Sequence, residues 1–130
     1  ISHPGVYFDP SHLDSNDQTN GFSLYVRERL TKAGVRFLTK EEWANTPGRP
    51  ELSVRYSQRA ESAGCIIPFS ISLALSEETV LTRNPSIKIT GRVWSGVVRE
   101  NLANLNFTTM NALEKVVGSF AKDWISQNPR

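Results

Sequence analysis

Cysteine is almost missing from this chain of 130 residues: Cys65 stands alone, so no internal disulfide can staple the fold. A lone thiol reads first as a small buried hydrophobe rather than as a reactive group. Histidine is nearly as scarce. His3 and His12 both sit near the start, neither belongs to a ligand-spaced cluster, and both read as exposed bystanders with no metal or cofactor implied. Net charge is only +2, and no run of like charge exceeds three residues. Such a balance lacks the clustered basic excess by which DNA- and RNA-binding proteins hold phosphate. No run approaches the ~18 apolar residues that span a bilayer. The longest apolar stretch, 63–74, is broken by Ser, Gly and Pro.

Catalytic signatures are missing too. There is no G-x-S-x-G elbow, no His after Cys65 to activate it, and neither G-x-x-x-x-G-K-[ST] nor G-x-G-x-x-G to cradle phosphate. The paired carboxylates Glu41-Glu42 and Glu77-Glu78 could serve acid–base chemistry. The first pair reads better as part of a helix cap and the second as part of a turn.

What is present is the composition of a globular domain: 38% hydrophobic and 22% charged residues, with six Phe, three Trp and three Tyr spread along the chain. The length suits one domain, 1–130, able to bury a core without disulfides or metals. Val6-Tyr7-Phe8, ended by Asp9-Pro10, reads as a first strand, and 11–21 as a polar loop. Phe22, Val26 and Leu30 recur at helical spacing, and Gly34 supplies a left-handed stop. Val35–Leu38 reads as a second strand. Thr39 and Glu42 then match a capping box, and Pro47, Gly48 and Pro50 end the short helix it starts.

Three segments alternate with strand period. Leu52, Val54 and Tyr56 are the apolar phase of one, and Ile67, Phe69, Ile71, Leu73 and Leu75 of the next. Ile87, Ile89, Gly91 and Val93 form that of the third. Glu61–Gly64 would turn the first pair, Thr79–Thr82 would add strand, and Arg83-Asn84-Pro85 would turn the second pair. Pro68 implies a bulge or an edge position. Residues 96–106 read as a polar connection. Met110, Leu113, Val117, Phe120 and Trp124, widened by Val116, Ala121 and Ile125, mark a final helix capped by Thr108 or Thr109 and closed by Asn128-Pro129.

The expected fold is α+β, in the order β-α-β-β-β-β-α. It has a single mixed, largely antiparallel sheet of about five strands with two main helices on one face. The other face is left open. Arg55, Arg59, Lys88 and Arg92 fall on its outward positions, with Trp94 in the same phase as Lys88 and Arg92. Aromatics among arginines can stack bases, arginine–tryptophan surfaces also suit protein partners, and cations on open strands also serve simply to prevent aggregation.

Residues 33–43 (Ala-Gly-Val-Arg-Phe-Leu-Thr-Lys-Glu-Glu-Trp) and 46–54 resemble a group of uncharacterised bacterial exported proteins. So do Phe69–Leu73, Val80–Pro85, Trp94-Ser95-Gly96 and the closing helix. The element order is also similar to that of the N-terminal domain of TolB and of small envelope lipoprotein domains. The resemblance implies a periplasmic or secreted setting in the bacterial envelope and brings no catalytic residues. The chain opens Ile1-Ser2-His3 rather than on Met, as a cleaved signal peptide or a trimmed chain would leave it. A lipid anchor or peripheral membrane association stays open.

The expected function is therefore a non-enzymatic interaction domain that takes a protein partner on the open sheet face or at a sheet edge. The alternative is a small-molecule or nucleic-acid binder using the same arginine–tryptophan surface. A hydrolase with an unfamiliar site stands third.

Overall fold

Alternation decides this architecture. In the stretch Phe69-Ser70-Ile71-Ser72-Leu73-Ala74-Leu75, every odd residue is large and apolar and every even one is Ser or Ala. An extended strand sends these to opposite faces. The computed structural model describes residues 3–10, 13, 21–58, 68–101 and 105–128, and all odd residues from 69 to 75 are buried.

The elements are β1 (Tyr7–Phe8), α1 (Phe22–Lys32), α2 (Lys40–Ala44), β2 (Glu51–Gln58), β3 (Pro68–Leu81), β4 (Asn84–Asn101) and α3 (Leu105–Gln127). The strands form one sheet in the order β1-β2-β3-β4. β1 runs parallel to β2, while β2–β3 and β3–β4 are antiparallel. The α+β class and the mixed, largely antiparallel sheet hold.

Inward residues of β2 and β3 (Leu52, Val54, Phe69, Ile71, Leu73, Leu75) share one core with Phe22, Val26 and Leu30 of α1. Leu113, Val116, Val117, Phe120 and Trp124 of α3 complete it. α3 packs on β4 and β3, and α1 packs on α3. Each large side chain fully withdrawn from water there contributes roughly 1.5–3 kcal/mol before conformational entropy is subtracted. Gly96 of β4 lies directly beneath α3. A Cβ placed on it would meet Val116 Cγ2 at 3.2 Å and Trp94 Cη2 at 2.8 Å, so only glycine admits the helix and the indole together.

Several expectations need correcting. Val35–Leu38 pairs only through an isolated parallel bridge, Val6 with Phe37, so the sheet has four strands and 35–38 only flanks β1. Thr79–Leu81 does add strand, as the end of β3, but the turn falls at Thr82-Arg83, with Asn84 and Pro85 already in β4. Glu77-Glu78 therefore belongs to a strand, not a turn. Residues 96–101 extend β4 instead of forming a connection. Pro68 opens a central strand, where its missing N–H is tolerated at the first position. α3 starts before Thr108 and Thr109, and Thr109 is buried inside it. Ile125 is half exposed.

Ile87, Ile89 and Val93 are also exposed: the first two lie on the part of the hairpin beyond α3, and Val93 sits in a bulge. Leu13, in a stretch that reads as polar loop, is a core residue at 2% exposure. The hairpin turn expected at 61–64, together with Cys65, His12, Arg59 and most of the 11–20 loop, lies outside the described residues.

Candidate functional site

The face of the sheet turned away from α1 and α3 is built by the even phase of β3 and its partners. Register sets four rows across β2, β3 and β4: Ser57–Ser70–Arg99, Arg55–Ser72–Val97, Ser53–Ala74–Ser95 and Glu51–Ser76–Arg92. Small residues on the middle strand and long ones on the flanking strands make the face concave. The resulting trough has a volume of about 480 Å³, a floor of Ser70, Ser72 and Ala74, and walls that include Arg55, Arg92 and Arg99. Those three arginines are exposed. Among the described residues none has a carboxylate partner, the ion pairs being His3–Glu77, Arg36–Glu42 and Lys115–Glu100.

A second hollow of about 270 Å³ continues along the same face toward the hairpin tip, lined by Trp43, Arg49, Glu51, Ser76, Glu78 and Thr90. The loop after α2 is docked there by a hydrogen bond from the Glu78 amide to the Gly48 carbonyl, 2.6 Å. Gly48 and Arg49 both hold left-handed backbone, with φ of 82° and 40°. Trp43 leans on Tyr7, ring centroids 5.3 Å apart, and its indole Nε1 is shut off from solvent without a hydrogen-bond partner. The Glu51–Ser76–Arg92 row adjoins both hollows.

Arg55 and Arg92 lie in the trough as expected from their phase. Lys88 is on the same face, opposite Val80 and nearer the tip. Arg59 lies outside the described residues. Trp94 does not join them. Leu75 pairs with Trp94 but Ser76 with Arg92, so Val93 is an extra residue on β4. Such a bulge reverses the phase of everything beyond it. Trp94 therefore points inward, edge-on to Phe120 with centroids 4.9 Å apart, and donates from Nε1 to Asp123 Oδ2 at 2.8 Å.

Sequence reasoning missed Arg99, because 96–106 reads as a connection, and it missed the Arg49–Trp43 hollow, which joins residues far apart in the chain. The small-residue floor was legible in the alternation of Ser70, Ser72 and Ala74, but such residues carry no distinct signal of function.

His3 is no exposed bystander. Its Nδ1 accepts from the Gly5 amide at 3.1 Å, and its Nε2 lies 2.9 Å from Glu77 Oε2. The ring rests against Trp124, centroids 4.9 Å apart. These contacts tie the start of the described chain to β3 and to the end of α3. The other paired carboxylate is also structural. Glu42 completes the capping box with Thr39 and pairs with Arg36. Its carboxyl is held below the usual range, first by the Thr39 backbone amide it accepts from and then by the Arg36 charge.

Among the described residues no three His, Cys, Asp or Glu side chains gather as a metal-binding group, and no helix is long and apolar enough to cross a membrane. The trough offers guanidinium donors, serine hydroxyls and a little aliphatic surface, with no aromatic side chain among its described lining residues. That chemistry suits carboxylates or other oxyanions and extended backbone, and it offers bases only guanidinium planes to stack on. The fold defines an α+β arrangement in which helices cover one face of the sheet and, among the described residues, nothing covers the trough face. Compared with protein-family models, curated proteins and solved structures, the chain gives no match.

Proposed function

We propose that this chain is a protein-interaction domain that receives its partner on the open sheet face, in the envelope or secreted setting that its resemblance to exported bacterial proteins implies. One observation carries the reading: Arg55, Arg92 and Arg99 surround a small-residue trough and have no acidic partner of their own among the described residues. Exposed arginines that only kept the sheet edge soluble would need no concave floor between them. Val97, 46% exposed in the same trough, adds apolar surface of the kind interfaces cover. The nucleic-acid alternative loses support, because Trp94 faces the core and no described residue of the trough is aromatic.

The test places a benzophenone amino acid at Ser72 on the trough floor or at Ser119, exposed on α3, and irradiates each protein in an envelope extract. Discrete adducts from position 72 and none from 119 are expected. Equal labelling from both positions, or none from 72, removes the open face as the binding surface.

A further inference from the structure

We infer that the occupant of the trough is an extended acidic segment of a partner protein, laid along β3 with its carboxylates on Arg55, Arg99 and Arg92. This rests on the reading of the open face as the binding surface and names the chemistry of what it takes. The ground is charge complementarity. Among the described residues the trough lining contains three arginines and no Asp or Glu. A guanidinium presents a fork of donors that matches a carboxylate in two-point contact.

Spacing narrows the occupant further. Arg99 stands across from Ser70, Arg55 from Ser72, and Arg92 from Ser76. Along β3 those rows are two and six residues from the first, so the set spans roughly 20 Å at ~3.3 Å per residue. An extended chain sends alternate side chains to one face. Acidic residues at positions i, i+2 and i+6 of such a chain therefore fall at the heights of the three arginines. A helical segment rises only ~1.5 Å per residue, so it would need about 14 residues for the same span, and its backbone groups, bonded within the helix, would leave the serine hydroxyls without partners. The serine hydroxyls between the arginines can donate to, or accept from, the backbone of an extended chain. Beyond Arg92 the trough meets the hollow that Glu51 and Glu78 line, so the acidic stretch of the segment ends at Arg92.

The experiment uses the full chain and a fluorescein-labelled peptide of alternating Glu and Ser, read by fluorescence anisotropy. The controls are the same peptide with Gln for Glu, and oligothymidylate. The alternating acidic peptide is expected to bind. Affinity should fall at least about tenfold in R55A/R92A/R99A, fall again as NaCl rises from about 0.05 to about 0.5 M, and stay unchanged in Lys122→Ala on α3. Circular dichroism of each variant separates lost binding from lost fold, and an Arg→Lys triple variant that recovers only part of the affinity identifies the forked contact.

Equal binding of the Gln peptide, tighter binding of oligothymidylate, or an equal loss in Lys122→Ala overturns the proposal. If the acidic peptide fails while position 72 still gives discrete adducts, the partner is not acidic and the open-face reading stands. If both fail, both fall.

Discussion

Arg92 and Trp94 are two residues apart on one strand yet stand on opposite faces of the sheet, because Val93 is inserted between the partners of Ser76 and Leu75. Arg92 reaches the trough; Trp94 closes the core beside Phe120. The proposed binding surface and the core are thus served by neighbouring residues.

Trp94→Ala should cost about 2–4 kcal/mol, by loss of packing on Phe120 and of the hydrogen bond to Asp123. Partner binding by the fraction that remains folded should be untouched, whereas Arg92→Ala should do the reverse. Urea unfolding and the Ser72 cross-link measure the two effects. A Trp94→Ala protein of unchanged stability that lost its partner would return the indole to the outer face.

Gly5→Ala is expected to be strongly damaging, because Gly5 is buried beside the Arg36 backbone. Its φ is 130°, and an added Cβ would lie 2.6 Å from the Arg36 carbonyl oxygen. That carbonyl accepts from the Val6 amide at 2.9 Å, so neither side can give without opening the Val6–Phe37 bridge. A loss of about 2 kcal/mol or more, read by thermal unfolding, is expected where backbone and contact strain add.

Leu13→Ala should cost about 2–4 kcal/mol, although its neighbours are Ser, His, Asp and Asn. Denaturant midpoints measured beside those of Leu24→Ala, at a position 61% exposed, give the comparison. Equal midpoints would show that Leu13 contributes no core packing.

Acid should weaken the cap on α2. Because the folded-state carboxyl of Glu42 titrates below its ordinary value of 4.5, its contribution is fully present above that value and is lost as pH falls through the folded value. Melting temperatures of the wild type and Glu42→Gln, followed from about pH 7 to about pH 3, should therefore converge at the acid end. Parallel curves would leave Glu42 without any linkage to folding.

Where local chemistry decided structure, it could be read from the chain. The Thr39–Glu42 box, the Phe22–Val26–Leu30 stripe, the left-handed Gly34 and the alternation through 69–75 each follow from neighbours within a few residues. What escaped depends on distant partners. The bulge at Val93 follows from the pairing with Leu75 and Ser76, and nothing local announces it, so every phase assigned across it was reversed. β4 continues past Gly96 because β3 offers it a ladder, while the composition of 96–101 reads as loop. His3 looks idle until Glu77 and Trp124 are brought to it. Half of the candidate site was legible for the same reason: Arg55 and Arg92 follow from alternation, whereas Arg99 requires the full length of β4 and Trp43 the docking of a loop.

The backbone amide of His3 donates to Asn128 Oδ1 at 2.8 Å, on the side of the sheet that the helices cover. The two ends of the described chain thus share a corner. That corner, where His3 and Asn128 meet beside Trp124, lies across the sheet from the arginine-walled trough, so the contact that fastens these two segments leaves the trough face untouched.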